Sequence, residues 1–223
     1  MSVSHELRTP LNAILGWSEV LRDGPVDSEE LHQGLSTIER NALQQLKIVN
    51  DLVDSSLIVL GRFKLQKEPV NISRSIQHAI QKLDKEIEEK KVHVIFTNNL
   101  PNAYVIGDEK RLEQIFHNLI DNAIKFSEEE RNLTISILRQ GPNLEAHVVD
   151  EGIGIDPELL PSLFEPFKQA DSSTTRRYGG LGLGLSIARF LTEAHKGKIA
   201  VESSRVGKGT DFVVKLPLFE ASP

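Results

Sequence analysis

Apolar residues spaced three and four apart open this chain. Leu7, Leu11, Ile14 and Leu21 form one helical stripe, with Pro10 placed to kink the helix or to lie near its irregular start. Gly24-Pro25 ends that helix. Asp27 with Glu30 resembles a capping box and starts a second one. There Leu31, Leu35, Ile38, Ala42, Gln45, Val49 and Leu52 keep a heptad-like step, flanked by Leu46, Val53, Leu57 and Leu60. Two helices with one stripe each enclose too little core, so the pattern predicts pairing with a second copy as a four-helix bundle. The stretch from Gly61 to Pro69 reads as a junction. Beyond it, residues 73–91 read as an amphipathic helix and 92–97 as a strand, and Asp108 caps a helix running to about Phe126. Residues 133–138 and 144–149 alternate as strands, and a glycine-rich region with short helices follows. A helix over 183–194 and strands over 199–203 and 210–216 close the chain. Strands interleaved with helices at this length predict an α/β two-layer sandwich, with helices on one sheet face. The expected organisation is a helical hairpin over 1–62 and an α/β domain over 63–223.

Composition narrows the chemistry. The 223 residues are 39% hydrophobic and 26% charged, as in a soluble globular protein. With no cysteine, disulfides, thiol catalysis and zinc-thiolate sites are excluded. A net charge of −6 gives no general basic footprint for nucleic acid. No apolar run reaches the length of a membrane span and no signal peptide opens the chain. The expectation is a cytoplasmic fragment without membrane contact of its own, cut from a parent that a membrane anchor would suit.

His5 lies about 200° around the helix from Leu7, away from the stripe, and Thr9, Asn12, Gly16 and Glu19 continue its polar face. Alone it reads as an ordinary surface histidine. Beside it, Glu6 could take a proton from one ring nitrogen and leave the other nucleophilic. Thr9, one turn on, could position a water. A zinc-protease reading would need a second histidine at position 9 and fails there. Further along, Asn118, Asn122 and Lys125 fall at i, i+4 and i+7, so two amide oxygens and an ammonium share a helix face suited to hydrated magnesium and phosphates. Asn is a poor helix former, which argues against a plain solvent face. Asp150, at a strand end and followed by Gly152 and Gly154, offers a carboxylate to an exocyclic amine and backbone room for a flat ring, as adenine requires. Gly180, Gly182 and Gly184 precede a helix whose N-terminus would favour phosphates. No Gly-Lys-Ser/Thr follows, so this is not a P-loop. Gly207-Lys208-Gly209-Thr210 adds a last glycine turn.

In this order the motifs resemble those of two-component sensor histidine kinases. Ser4 to Leu11 is similar to the family's H box, Asn118 to Phe126 to its N box, and Asp150 to Ile155 to its first glycine box. Leu163-Phe164-Glu165-Pro166-Phe167 resembles the F box, and Gly180 to Gly184 the second glycine box. The run from Gln169 to Tyr178 resembles the lid of hybrid-type kinases. The resemblance implies a dimerisation and histidine-phosphotransfer hairpin followed by an ATP-binding domain of the GHKL (Bergerat) fold. It implies that His5 takes the γ-phosphate of ATP and passes it to an aspartate of a response regulator receiver domain. Glu6 would assist as base and Thr9 would serve phosphatase activity. Asn122 and Asn118 would hold Mg2+, Lys125 would contact phosphate, and Phe126 would join them among the nucleotide-binding residues. Asp150 would read adenine, with Gly152 and Gly154 giving it room. Gly180, Leu181, Gly182, Leu183 and Gly184 would form the phosphate loop, with Thr210 at the final turn. Leu181 replaces a threonine common in the family, and Gln169 an arginine found in some members. The γ-phosphate contact would then fall to Lys168, Arg176 or Arg177. Related GHKL ATPases carry a glutamate four residues before the metal-binding asparagine. Here that place is Asn118, which is too weak a base to activate water. The resemblance therefore favours a kinase over a hydrolase.

Overall fold

The computed structural model describes residues 3–100, 102–168 and 180–219. They divide into two compact units, one made of residues 3–62 and 180–183, the other of 63–168 and 184–219. In the first, helices α1 (Val3–Asp23) and α2 (Ser28–Val59) pack along each other. Asp27 caps α2 as expected, accepting the N–H groups of Glu29 and Glu30 at 2.9 and 2.8 Å. Pro10 lies within α1, seven residues from its start. The α1 stripe is not covered within one chain: Leu7, Ile14 and Leu21 are half-buried and Leu11 is 45% exposed. The reason is geometric, since one neighbouring helix shields only a strip of a helix surface. Leu15, Leu43, Leu46, Val49 and Val53 are exposed as well.

The second unit is a mixed sheet covered on one face by helices. Its strands are β2 (His93–Asn98), β4 (Asn132–Gln140), β5 (Asn143–Asp150), β6 (Lys198–Arg205) and β7 (Gly209–Pro217), in the order β2-β4-β5-β7-β6. Only β2 and β4 run parallel. Register puts Ile135, Val148 and Phe212 side by side, and Ile137, Ala146 and Val214 beside them. All six are buried. The opposite face carries Ser136, His147, Asp211 and Lys215, with His147 Nδ1 3.1 Å from Asp211 Oδ1. That alternation is the period-2 pattern of a sheet with one apolar face.

Three helices, α3 (Ile72–Gln81), α5 (Glu109–Phe126) and α6 (Gly184–Ala194), form the second layer around fully buried Ile76, Leu112, Phe116 and Leu119. Asp108 caps α5 through the Arg111 N–H at 3.3 Å. Its own N–H donates to His195 Nε2 at 3.0 Å, which ties the start of α5 to the end of α6. His195 Nδ1 lies 2.6 Å from the Leu191 carbonyl, so the ring is a neutral tautomer, and burial lowers its proton affinity.

Two expectations need correction. The helix read over 73–91 is two helices, α3 and α4 (Asp84–Lys90). The ladder tightens at Leu83, whose N–H bonds the Ile80 carbonyl rather than that of Ala79, and this turn keeps the Leu83 side chain in the core. A two-stranded ribbon of β1 (Glu68–Asn71) and β3 (Tyr104–Gly107) was not expected. The glycine-rich region contains one 3-10 turn, Leu160–Ser162, among the described residues.

Candidate functional site

The helix-facing row of β5 runs Leu144, Ala146, Val148 and then Asp150. The apolar row thus ends in a carboxylate, placed between Leu133 of β4 and Thr210 of β7. Asp150 Oδ1 accepts the Gly152 N–H at 2.8 Å, and the Thr210 backbone donates to the same carboxylate. Burial dominates its electrostatics. Its pKa is raised from an ordinary 3.8 to about 6; the two backbone donors pull it down and nearby Asp211 pushes it further up. Such a carboxylate is held in place and under-solvated, which suits it to accept a hydrogen bond from a ligand amine.

The turn beyond Asp150 is built around close backbone approach. A methyl on Gly152 would lie 2.5 Å from the Phe126 carbonyl oxygen, and Gly154 has a φ of +70° against the Arg205 backbone. The Phe126 carbonyl accepts the Ile153 N–H at 3.1 Å, so the end of α5 and the glycine turn are joined directly. Ser204 steadies the other side, accepting the Ile155 N–H at 2.8 Å and lying 3.0 Å from Thr210 Oγ1.

Along α5, Asn118 is buried and its amide nitrogen donates to the Gly184 carbonyl at 3.0 Å, which fastens α5 to the first residue of α6. Asn122 is half-buried one turn on. Lys125 pairs with buried Asp121 at 2.9 Å. The amide oxygens here are hard donors, fit for a magnesium ion that keeps most of its ligands as water and phosphate oxygen. Phe164 stacks edge-on against Phe212 at 6.4 Å, seating the Leu163–Phe167 segment on the sheet. Lys168 is exposed beside Glu165. Arg176 and Arg177, with the whole 169–179 stretch, lie outside the described residues.

On the hairpin, His5 and Thr9 are exposed on one face of α1, and Thr9 Oγ1 donates to the His5 carbonyl at 3.1 Å. Glu6 differs from the expectation of an exposed pair. It is buried, and its Oε2 accepts the Gly180 N–H at 3.0 Å within the same unit. A step of one residue turns a helix by about 100°, so the neighbours of His5 point elsewhere. Leu181 and Gly182 are half-buried and Leu183 is buried in this unit.

The structure therefore brings Asn118, Gly184, Phe126, Gly152, Asp150 and Thr210 into one connected site in the second unit. His5, Glu6 and Thr9 lie in the first. Sequence reasoning missed Asp121 and Ser204. The i,i+4 spacing of Asp121 and Lys125 was a readable signal. Ser204 had none, because its role depends on cross-strand placement opposite Thr210.

A model of the His Kinase A (phospho-acceptor) domain matches residues 1–61. A model of the Histidine kinase-, DNA gyrase B-, and HSP90-like ATPase matches residues 107–220. The chain belongs to the histidine kinases. This histidine kinase chain is 35% identical to hybrid signal transduction histidine kinase D of Dictyostelium discoideum, over 100% of its own length and 17% of the relative's. It is 37% identical to the autoinducer 2 sensor kinase/phosphatase LuxQ of Vibrio harveyi, over 97% and 26%. Its fold matches full-length ShkA in complex with AMPPNP, with a TM-score of 0.72 and 28% identity over 99% of this chain and 45% of that one. The kinase chain thus spans about a quarter or less of these two curated relatives. Among its described residues no helix is long and apolar enough to cross a membrane.

Proposed function

We propose that this chain is an ATP-dependent protein histidine kinase core, with residues 1–62 as its dimerisation and phosphotransfer hairpin and 63–223 as its ATP-binding domain. Asp150 accepts the exocyclic amine of adenine, with the Gly152–Gly154 turn leaving room for the ring. Lys125 and the glycines from 180 to 184 meet the phosphates, with Lys168, Arg176 and Arg177 as γ-phosphate contacts. The amide oxygens of Asn122 and Asn118 would hold Mg2+, which would neutralise phosphate charge. One ring nitrogen of His5 forms the N–P bond with the γ-phosphorus while the bond to the β,γ-bridging oxygen breaks and ADP leaves. The proton on the other ring nitrogen passes to Glu6 once that carboxylate gives up the Gly180 N–H and turns to the imidazole. The phosphoryl group then moves to an aspartate of a response regulator receiver domain. The AMPPNP bound in ShkA supports the nucleotide class.

Asn118 carries this reading. The place where a hydrolase needs a carboxylate base holds a buried amide committed to the Gly184 carbonyl, so ATP can be bound without water being activated beside it. Phosphatase activity toward the regulator is part of the proposal. Thr9 would orient the attacking water, and LuxQ is named as a sensor kinase/phosphatase. The protein would act in the cytoplasm. The test is incubation with γ-labelled ATP and Mg2+. The label should be acid-labile and base-stable and should map to His5. Steady release of labelled phosphate without protein labelling would instead favour a hydrolase.

The hairpin's exposed apolar stripe is where a second copy would pack. Leu46 and Val53 are 56% and 51% exposed in the single chain, and burying each on dimerisation gains roughly 1–2 kcal/mol. The double substitution Leu46→Glu, Val53→Glu should convert a dimer to a monomer in sedimentation equilibrium. A dimer that survives both charges would move the interface elsewhere.

A further inference from the structure

The last turn of α5 leaves backbone carbonyls without helical partners, and each one can be accounted for. The Ala123 carbonyl receives the N–H and the hydroxyl of Ser127, at 3.1 and 2.7 Å. That of Phe126 receives the Ile153 N–H. The carbonyls of Ile124, Lys125 and Ser127 all converge on one side chain from another element. Lys90, the last residue of α4, donates to them at 2.8, 2.8 and 3.0 Å. An ammonium has three protons and no acceptor, so it matches three carbonyls at the negative end of a helix dipole. The chain then reverses at Lys91, in the left-handed region at φ 52°, and enters β2. This fixes the Lys90 side chain against the end of α5.

The carbonyls that Lys90 holds flank the Phe126 carbonyl on both sides. That carbonyl fixes Ile153, and it is the atom a side chain at 152 would strike. We propose that Lys90 is a positioning residue for nucleotide binding: it locks the end of α5 so that the Asp150–Gly154 turn presents its carboxylate and its backbone at the right spacing for a purine. The proposal rests on the reading that this pocket binds ATP. Lys90 never touches the ligand. It acts through Phe126 and Ile153. Burial lowers the proton affinity of its ammonium, Glu129 opposes that and Lys125 adds to it.

The absence of native cysteine makes a clean test available. Lys90→Cys creates the sole thiol. Alkylation with 2-bromoethylamine rebuilds an ammonium of the same reach as lysine, whereas iodoethane leaves the same stem without charge. ATP and GTP affinities are measured by calorimetry, and autophosphorylation at saturating ATP is measured alongside. With the ethylated protein, the Kd for ATP should rise about tenfold and the preference for ATP over GTP should contract. The binding stoichiometry and the saturated rate should stay within about twofold of the unmodified chain. Aminoethylation should restore the affinity. A fall in stoichiometry with Kd unchanged would mean that Lys90 only holds the fold, and would overturn the proposal. If Lys90→Cys does not fold, Lys90→Gln keeps amide donors at the helix end. A Kd at least threefold higher then supports the proposal, and an unchanged Kd refutes it. Failure of the unaltered chain to bind ATP at all would reject the underlying reading of the pocket instead.

Discussion

Replacing His5 with glutamine should abolish protein labelling from γ-labelled ATP, by at least about a thousandfold, while ATP affinity stays within about twofold. The size follows from the chemistry: glutamine has no basic nitrogen lone pair with which to form the N–P bond. The selectivity follows from the geometry. His5 is exposed, and the Thr9 hydroxyl bonds its backbone carbonyl, which glutamine keeps. Surface substitutions of this kind change stability by only a few tenths of a kcal/mol. Calorimetry of ATP binding and circular dichroism on the same preparation separate lost chemistry from lost structure. Label retained in the variant would mean that another side chain is the acceptor.

Asp150→Asn should produce a more stable protein that binds ATP far more weakly. The carboxylate's pKa rises from 3.8 to about 6 on folding, chiefly through burial. Between these values the folded protein binds the proton more tightly than the unfolded chain. Stability therefore falls as the pH rises through that window, and at neutral pH the buried charge costs about 2–3 kcal/mol. Asparagine removes the cost and keeps an oxygen for the Gly152 and Thr210 N–H groups. The melting temperature of the nucleotide-free protein should rise by roughly 5–10 °C at pH 7. Toward adenine the same change turns a charged acceptor into an amide, and affinity should fall about a hundredfold. In the unaltered protein, ATP affinity should weaken as the pH drops through about 6. A destabilised variant with intact binding would show that Asp150 serves the fold rather than the ligand.

Much of this site could be read along the chain because local spacing determines it. Asn118, Asn122 and Lys125 share a helix face wherever that helix lies, and a strand ending in Asp before Gly-x-Gly places its carboxylate at a turn. The two-layer sandwich followed from strands and helices taking turns, and comparison with known histidine kinases bears out that fold. What could not be read depends on partners far apart in sequence. The β1–β3 ribbon joins segments about 36 residues apart, and four-residue strands carry too few alternations to announce themselves. The break at Leu83 arises because tertiary packing outweighs a continuous helical period. Glu6 looked like an exposed companion of His5, and nothing in its neighbourhood signals that a backbone amide 174 residues away takes its carboxylate. The tether from Asn118 to Gly184 is of the same kind, spanning 66 residues.

Asp150 ends β5, the middle strand of five, with a paired strand on each side. Paired on both sides, it belongs to the part of the sheet that opens least readily. In the proposed function, the end of the pocket that would read the base is thus held in one shape before any nucleotide arrives. Little conformational freedom remains to be lost there on binding. Discrimination between adenine and guanine would then be a property of the resting molecule, present at the first collision and independent of whether phosphoryl transfer follows.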